Sequence, residues 1–228
     1  MKCYCYETKT EFIYCVEDAE GKIYENLEAD RYWTKTIDNK FVKIYPINMD
    51  ADVWDDGWYL DAEYKEAIKN NFARLGKAWL EKEFDWRNVL LLLSHKFAEN
   101  KIEWYILGSV SEAVLGADIK PGDIDIAVHT RDFYKVKDLF RPYTVEPLGD
   151  NKGNWIVRFF GKLCIDGASV DIAADEKLNM ENRQPPYEKT SWNGYDLYST
   201  PLQIRYETEI QRDRKDRVKA IEKLLKKI

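Results

Sequence analysis

Residues 121–130 read PGDIDIAVHT. Ile124, Ile126 and Val128 fall on alternate positions, the pattern of a short strand with one buried face. Side chains alternate across a strand, so Asp123 and Asp125 project together to the side opposite Ile124 and Ile126. Two carboxylates held that close repel, and a strand built for burial has no structural use for them. The pair therefore asks for a positive partner, and a divalent cation with oxygen ligands suits it. An EF-hand is excluded, because its third acidic position and loop glycine are missing and the surroundings are a strand.

Upstream, EWYIL (103–107) is a short apolar run that ends at Gly108-Ser109, where helix-forming residues begin. Glycine permits a tight turn, and the unpaired first amides of a helix, with its dipole, favour an anion such as a phosphate. The same residues also fit a capping box, with Ser109 as N-cap and Glu112 three residues into the helix. Both readings stay open at this point. Thirteen residues lie between Ser109 and Asp123, room for one short helix and a return loop. Downstream, ASVDIAA (168–174) places Asp171 between Val170 and Ile172 in the same apolar-acid-apolar pattern, a candidate third carboxylate. Asp166 competes for that role, but Ile-Asp-Gly reads as a turn or bulge.

This constellation resembles the nucleotidyltransferase superfamily, whose fold is shared with DNA polymerase β. The matching residues are YILGS, the gap of thirteen, DIDI and VDI, spread over roughly residues 85–175. The gap is at the long end of the family's range. In the tail, TPLQIRYETEIQRDRKDRV is similar to a segment of small bacterial members in which a proline opens a helix and an Arg-x-Lys-Asp run follows, with Arg214-Lys215-Asp216 as a loose match. The resemblance implies Asp123, Asp125 and Asp171 as catalytic and metal-binding residues, Gly108 and Ser109 as the nucleotide-binding turn, and Mg²⁺ or Mn²⁺ as the metal. It implies transfer of a nucleoside monophosphate from a nucleoside triphosphate (NTP) to a hydroxyl acceptor, with pyrophosphate leaving. Asp171 would share a second metal or take the acceptor's proton.

The rest of the chain frames this segment. With 228 residues, 45% hydrophobic and 33% charged, it can bury a substantial core. The longest apolar run, around Val89–Leu93, is too short to cross a bilayer. MKCYCYETKT lacks the apolar stretch and cleavage site of a secretory signal, so a cytoplasmic location and free thiols at Cys3, Cys5, Cys15 and Cys164 are expected. The net charge of −6 is uneven, about −7 over residues 1–65 and about +1 over the remainder. No long basic stripe interleaved with aromatics marks a nucleic-acid surface, so a small-molecule acceptor is favoured over RNA or protein.

The expected fold is α+β: a mixed sheet covered by helices, with a small antiparallel β extension at the N-terminus and a C-terminal helix. The expected boundaries are 1–60 for the extension, 61–200 for the nucleotidyltransferase domain and 201–228 for the helical tail. Helices are predicted over about 62–82, through Tyr64, Ile68, Phe72, Leu75 and Trp79, and from Asp85 as N-cap, burying Val89, Leu92, Leu93 and Phe97 and ending near Asn100. A helix over 109–115, another over 131–143, strands at 154–160 and 162–165, and one helix from Pro201 onward complete the prediction. Residues 48–61 and 182–195 read as loops.

Other side chains have a bland reading beside a functional one. His95 fits a packed or surface helix position, and His129 faces the aspartates only if the strand persists that far. Lys120, Arg158 and Lys215 are candidate phosphate ligands, and Trp54, Trp58, Trp155 and Trp192 candidate stacking partners, although solvated charge and core packing are the commoner uses. A non-catalytic member of the fold that binds nucleotide or a protein partner is the alternative function. A metal-dependent glycosyltransferase is the lesser one, since it leaves Gly108-Ser109 and Asp171 unused.

Overall fold

The computed structural model describes residues 2–7, 12–17, 23–24, 33–37, 40–44, 62–81, 84–150, 157–174 and 187–226. Strands β1 (Lys2–Glu7), β2 (Phe12–Glu17) and β3 (Ile23–Tyr24) form one antiparallel sheet, and β4 (Trp33–Ile37) pairs with β5 (Lys40–Ile44) in another. The loop expected at 48–61 lies outside the described residues.

Two helices follow, α1 (Ala62–Glu81) and α2 (Trp86–Glu99). The Asp85 carboxylate accepts from the Arg87 and Asn88 amides at 3.0 and 3.3 Å, satisfying two of the orphan donors of a helix start, and Asn100 is the C-cap. Along α2 the buried stripe is Val89, Leu90, Leu93 and Phe97, with Leu92 only half-buried. Leu90 takes the place expected for Leu92 because Trp86, Leu90, Leu93 and Phe97 follow one another at spacings of three and four and so share one side of the helix.

The main sheet is built from β6 (Trp104–Ile106), β7 (Ile124–Val128), β8 (Thr144–Asp150), β9 (Phe159–Ile165), β10 (Ala168–Ala174), β11 (Glu188–Trp192) and β12 (Tyr195–Ser199). Its order is β11-β12-β6-β7-β10-β9-β8; β12 runs parallel to β6 and β10 parallel to β7, and the other neighbours are antiparallel. Helix α3 (Gly108–Val114) joins β6 to β7, and α4 (Thr130–Phe140) leads through a 3₁₀ turn at Arg141–Tyr143 to β8. The tail forms two helices, α5 (Leu202–Gln211) and α6 (Lys215–Leu225). The α+β class expected from sequence therefore holds.

One face of the sheet is the core. Ile124, Ile126 and Val128 of β7, Val170 and Ile172 of β10, and Leu163 and Ile165 of β9 pack with Val89, Leu93 and Phe97 of α2 and Phe133, Val136 and Phe140 of α4. Each such aliphatic side chain contributes about 1.5–3 kcal/mol on burial. Alternation then fixes the other face: Asp125, Asp171 and their neighbours have nowhere else to project.

Three expectations change here, and one strand is added. Thr144–Asp150, for which no element was predicted, is a strand although it holds Pro147 and Gly149; β8 is the sheet's edge, where a missing amide costs no ladder bond, and its pairing with β9 shifts register on both sides of Glu146. The two strands expected at 154–160 and 162–165 are one, β9, with 154–156 outside the described residues. The loop at 182–195 contains a hairpin, β11–β12, closed by Asn193 (φ +47°) and Gly194 (φ +82°), the pair of left-handed residues that a two-residue turn needs. The single tail helix breaks at Asp213 (φ +51°), where the chain reverses so that Ile221, with half-buried Leu224 and Leu225, packs with Leu202 and Ala117.

Candidate active site

The strand β6 delivers the chain to Gly108 with φ +57°, a left-handed value that favours glycine. The Leu107 amide donates to the Asp125 carbonyl at 2.8 Å, which clamps the turn onto β7. A Cβ placed on Gly108 would stand 2.2 Å from Oδ2 of Asp125. The turn and the aspartate therefore touch, and only glycine allows it. The capping box does not form: Leu107 is the N-cap of α3 and makes no side-chain cap bond. The Ser109 hydroxyl is buried and has no hydrogen-bond partner among the described residues. Such a buried orphan costs free energy unless something meets it.

Asp123 lies just before β7 and Asp125 within it. In the parallel β7–β10 pair Asp171 is directly opposite Asp125, and in the antiparallel β10–β9 pair Lys162 is directly opposite Asp171. Glu146 of β8 is opposite Lys162. Four adjacent strands thus carry a row Asp125, Asp171, Lys162, Glu146 across one face. The Lys162 ammonium donates to Asp171 Oδ1 and to Ser169 Oγ, the latter at 3.0 Å.

The electrostatics follow from this row. Burial first, then the Asp123 and Asp171 carboxylates, push Asp125 up to about 7. Burial and then Asp171 also raise Asp123, while Lys162, Arg217 and Arg214 pull it back. Burial works against the Lys162 charge, but the Asp171 carboxylate, by charge and hydrogen bond, and then Glu146 hold its pKa above the ordinary lysine value. Asp123, Asp125 and Asp171 face Lys162 as their nearest counter-charge, so the site is short of positive charge.

Among the described residues no three His, Cys, Asp or Glu side chains stand close enough together to hold a metal ion. The Asp171 carboxylate is bonded to Lys162 of β9 and to Ser169, while Asp125 meets the Gly108 turn with Asp123 two residues before it and Asp171 directly opposite it on β10. This donor set fits Mg²⁺ or Mn²⁺, because Mg²⁺ usually takes one or two carboxylates and completes its shell with water and substrate phosphates.

Behind the turn, α3 is locked to the tail. Arg205 of α5 donates to Glu112 Oε1 from Nε at 2.9 Å and from Nη2 at 2.6 Å, and Nη2 also bonds Glu209. Arg214 Nη1 and Arg217 Nη1 stand 3.5 and 3.7 Å from the Glu209 carboxylate. Glu112, expected to cap the helix, thus anchors it instead. Burial raises its pKa, with Arg205 opposing.

The remaining candidates have other surroundings. Arg158 pairs with Asp150 at 2.8 Å and lies over the Phe159 ring, and Lys215 sits exposed 3.8 Å from Asp213. Lys120 lines a surface pocket of about 750 Å³ with Trp86, Arg87 and Asp118. His95 is on the surface beside Glu99. His129 ends the strand early as the N-cap of α4 and bonds Glu103 at 3.2 Å. Trp192 stacks on Trp86 with centroids 6.2 Å apart; Trp54, Trp58 and Trp155 lie outside the described residues. Cys15 and Cys164 are buried and form no disulfide.

No protein-family model and no curated protein matches the chain. Two solved structures are similar to it. One is a candidate nucleotidyltransferase of Thermotoga maritima, TM1012, at 22% identity over 63% of this chain and 94% of that one, TM-score 0.47. The other is ANT(2″)-Ia in complex with adenylyl-2″-tobramycin, at 10% identity over 61% and 90%, TM-score 0.43.

Sequence reasoning missed Lys162, Arg205 and Arg217, and named Arg214 only as part of a loose match in the tail. For Lys162 the signal was present. Asp166 (φ +49°) and Gly167 (φ +81°) form a two-residue hairpin turn, and counting outward from it pairs Ile165 with Ala168 and Lys162 with Asp171. The arginines carried no such signal, because their approach to α3 depends on how the tail folds back.

Proposed function

We propose that this protein is a metal-dependent nucleotidyltransferase that moves a nucleoside monophosphate from an NTP to a hydroxyl group of a small molecule, releasing pyrophosphate. The observation that supports the reading is the contact of the Gly108-Ser109 turn with Asp125 while Asp171 stands in register beside it. Gly108 and the Ser109 hydroxyl receive the terminal phosphates, and Arg214 and Arg217, loosely held on Glu209, face the same charge. Asp123 and Asp125 hold the divalent cation, whose chemistry when bound is to neutralise phosphate charge and polarise the reacting oxygens. Asp171 meets the acceptor hydroxyl, and Lys162 fixes the orientation of Asp171 and balances its charge. Positioning and charge compensation then carry the rate, with no covalent intermediate on the protein. On this reading residues 61–200 form the catalytic unit, 201–228 brace it, and 1–60 are an extension.

Incubation with each α-labelled NTP, Mg²⁺ and a panel of hydroxylated acceptors tests this, with Asp125→Ala as control. Label should move to an acceptor with the wild type and fall to background with the variant. Transfer that persists in the variant refutes the site, and nucleotide binding without any transfer supports a non-catalytic protein.

A further inference from the structure

The row of charges across the sheet holds a cation of the protein's own. Lys162 stands on β9 between Asp171 of β10 and Glu146 of β8, opposite each. Its side chain is 6% exposed, and its ammonium directs two of its three N–H donors at Asp171 Oδ1 and at Ser169 Oγ. The Ser169 hydroxyl in turn donates to Asp171 Oδ1 at 3.3 Å. Both hydrogen bonds to the Asp171 carboxylate thus fall on one oxygen, and no donor among the described residues meets Oδ2.

We propose that Lys162 stands in for a second metal ion: the site takes one divalent cation, on Asp123 and Asp125, and Asp171 serves the acceptor hydroxyl without being a metal ligand. This rests on the nucleotidyltransferase reading. Phosphoryl transfer at carboxylate clusters often uses two divalent ions about 3.5–4 Å apart, which clamp the attacking and the leaving oxygen. A second ion here would have to share Asp125 with the first and draw on Asp171, the carboxylate directly opposite it. Oδ1 of Asp171 is already taken by a cation, and that cation has nowhere to withdraw. Parting Lys162 from Asp171 would leave a buried ammonium with a poorer set of partners, which is costly. A divalent ion at the same carboxylate would also meet the ammonium as a like charge where little water screens it. The charge of Lys162 reaches Asp123 and Asp125 as well, so it acts on the whole acidic group. The spacing of the acids agrees, since no three of them among the described residues stand close enough to hold one ion.

The transfer step balances without a second ion. The acceptor oxygen bonds the α phosphorus, and its proton passes to Asp171 Oδ2 and later to water. The bond from the α phosphorus to the bridging oxygen breaks, and its electron pair leaves on pyrophosphate. Lys162 and Ser169 hold the other oxygen of the same carboxylate and so leave Oδ2 for the acceptor. Lys162 touches no substrate; it is a positioning residue that brings a fixed positive charge.

Electron paramagnetic resonance of the full chain titrated with Mn²⁺, alone and with one equivalent of inorganic tripolyphosphate, counts the ions and shows whether two lie side by side. The wild type should bind one Mn²⁺ per chain with the spectrum of an isolated ion. Lys162→Met frees Asp171, so it should bind a second Mn²⁺ and give the broadened signal of a coupled pair. Lys162→Met combined with Asp171→Asn removes both charges together, and should bind one ion with an affinity within about threefold of the wild type. That double variant also serves where Lys162→Met does not fold, because removing a buried pair whole leaves no lone charge on Asp171. A coupled pair in the wild type, a single ion in folded Lys162→Met, or a loss of about tenfold or more in the double variant overturns the one-metal site and leaves the nucleotidyltransferase reading intact. A wild type that binds no Mn²⁺ under either condition overturns both.

Discussion

Replacing Gly108 with alanine puts the contact between turn and aspartate to a direct test. The new Cβ would stand 2.2 Å from Asp125 Oδ2, 3.1 Å from its Cγ and 3.3 Å from its Cβ, on a backbone with φ +57°. The left-handed conformation costs a non-glycine residue about 1–2 kcal/mol, and overfilling a packed site costs about 1–3 kcal/mol more. A loss of roughly 2–5 kcal/mol is expected, or a fall in Tm of about 5–15 °C for a chain of this size. Gly122→Ala is the control, since a Cβ there meets nothing within 4 Å and its φ lies outside the left-handed range. Thermal and urea melts of both variants measure the difference. The Asp125 carboxylate must also turn away from its place, so label transfer by Gly108→Ala should fall at least about a hundredfold at a temperature where the protein remains folded. If Gly108→Ala melts with Gly122→Ala and keeps its activity, the turn does not touch the aspartate and the site is wrongly drawn.

Two further outcomes follow from the charges. In chelator, the folded protein keeps a proton on Asp125 up to about pH 7, whereas the unfolded chain loses it near the ordinary value of 3.8. Folded-state proton binding then exceeds that of the unfolded state between these pH values. Stability should therefore fall as pH rises from about 4 to 7, by up to roughly 4 kcal/mol from this group. Urea midpoints across that range should show the slope in the wild type and a flatter profile in Asp125→Asn, and an unchanged slope in the variant contradicts the assignment. Arg205→Ala leaves Glu112 and Glu209 buried without their shared guanidinium and should destabilise by about 3–5 kcal/mol, read as a lower urea midpoint. A change below about 1 kcal/mol would show that the lock between α3 and the tail is not needed.

Much of the site was legible because it is written in local periodicity. Asp123, Asp125 and Asp171 announce themselves as charges among β-branched residues, and Gly108-Ser109 as a turn between an apolar run and a helix. Position 109 was legible only in part: the capping-box spacing to Glu112 is correct as sequence, but α3 starts at Gly108 with Leu107 as its N-cap, so Ser109 lies inside the first turn with its hydroxyl unpartnered, and Glu112 meets Arg205, ninety-three residues on. The strand at Thr144–Asp150 was illegible because Pro147 and Gly149 are breakers everywhere except at an edge, and nothing local says which strand is the edge.

By itself the sequence determined the elements that carry the candidate site and the identity of the acids: alternation put the isoleucines of β7 in the core and its aspartates on the opposite face. Strand order and the path of the tail were decided only in three dimensions. The order brought Lys162 against Asp171 and Glu146 against Lys162, and the reversal at Asp213 brought Arg214 and Arg217 within the electrostatic reach of Asp123. The physical reason is range. Periodicity and turn chemistry act over a few residues and can be read along the chain, whereas charge pairing and the cost of burying it depend on distance in space, which exists only once the chain has folded.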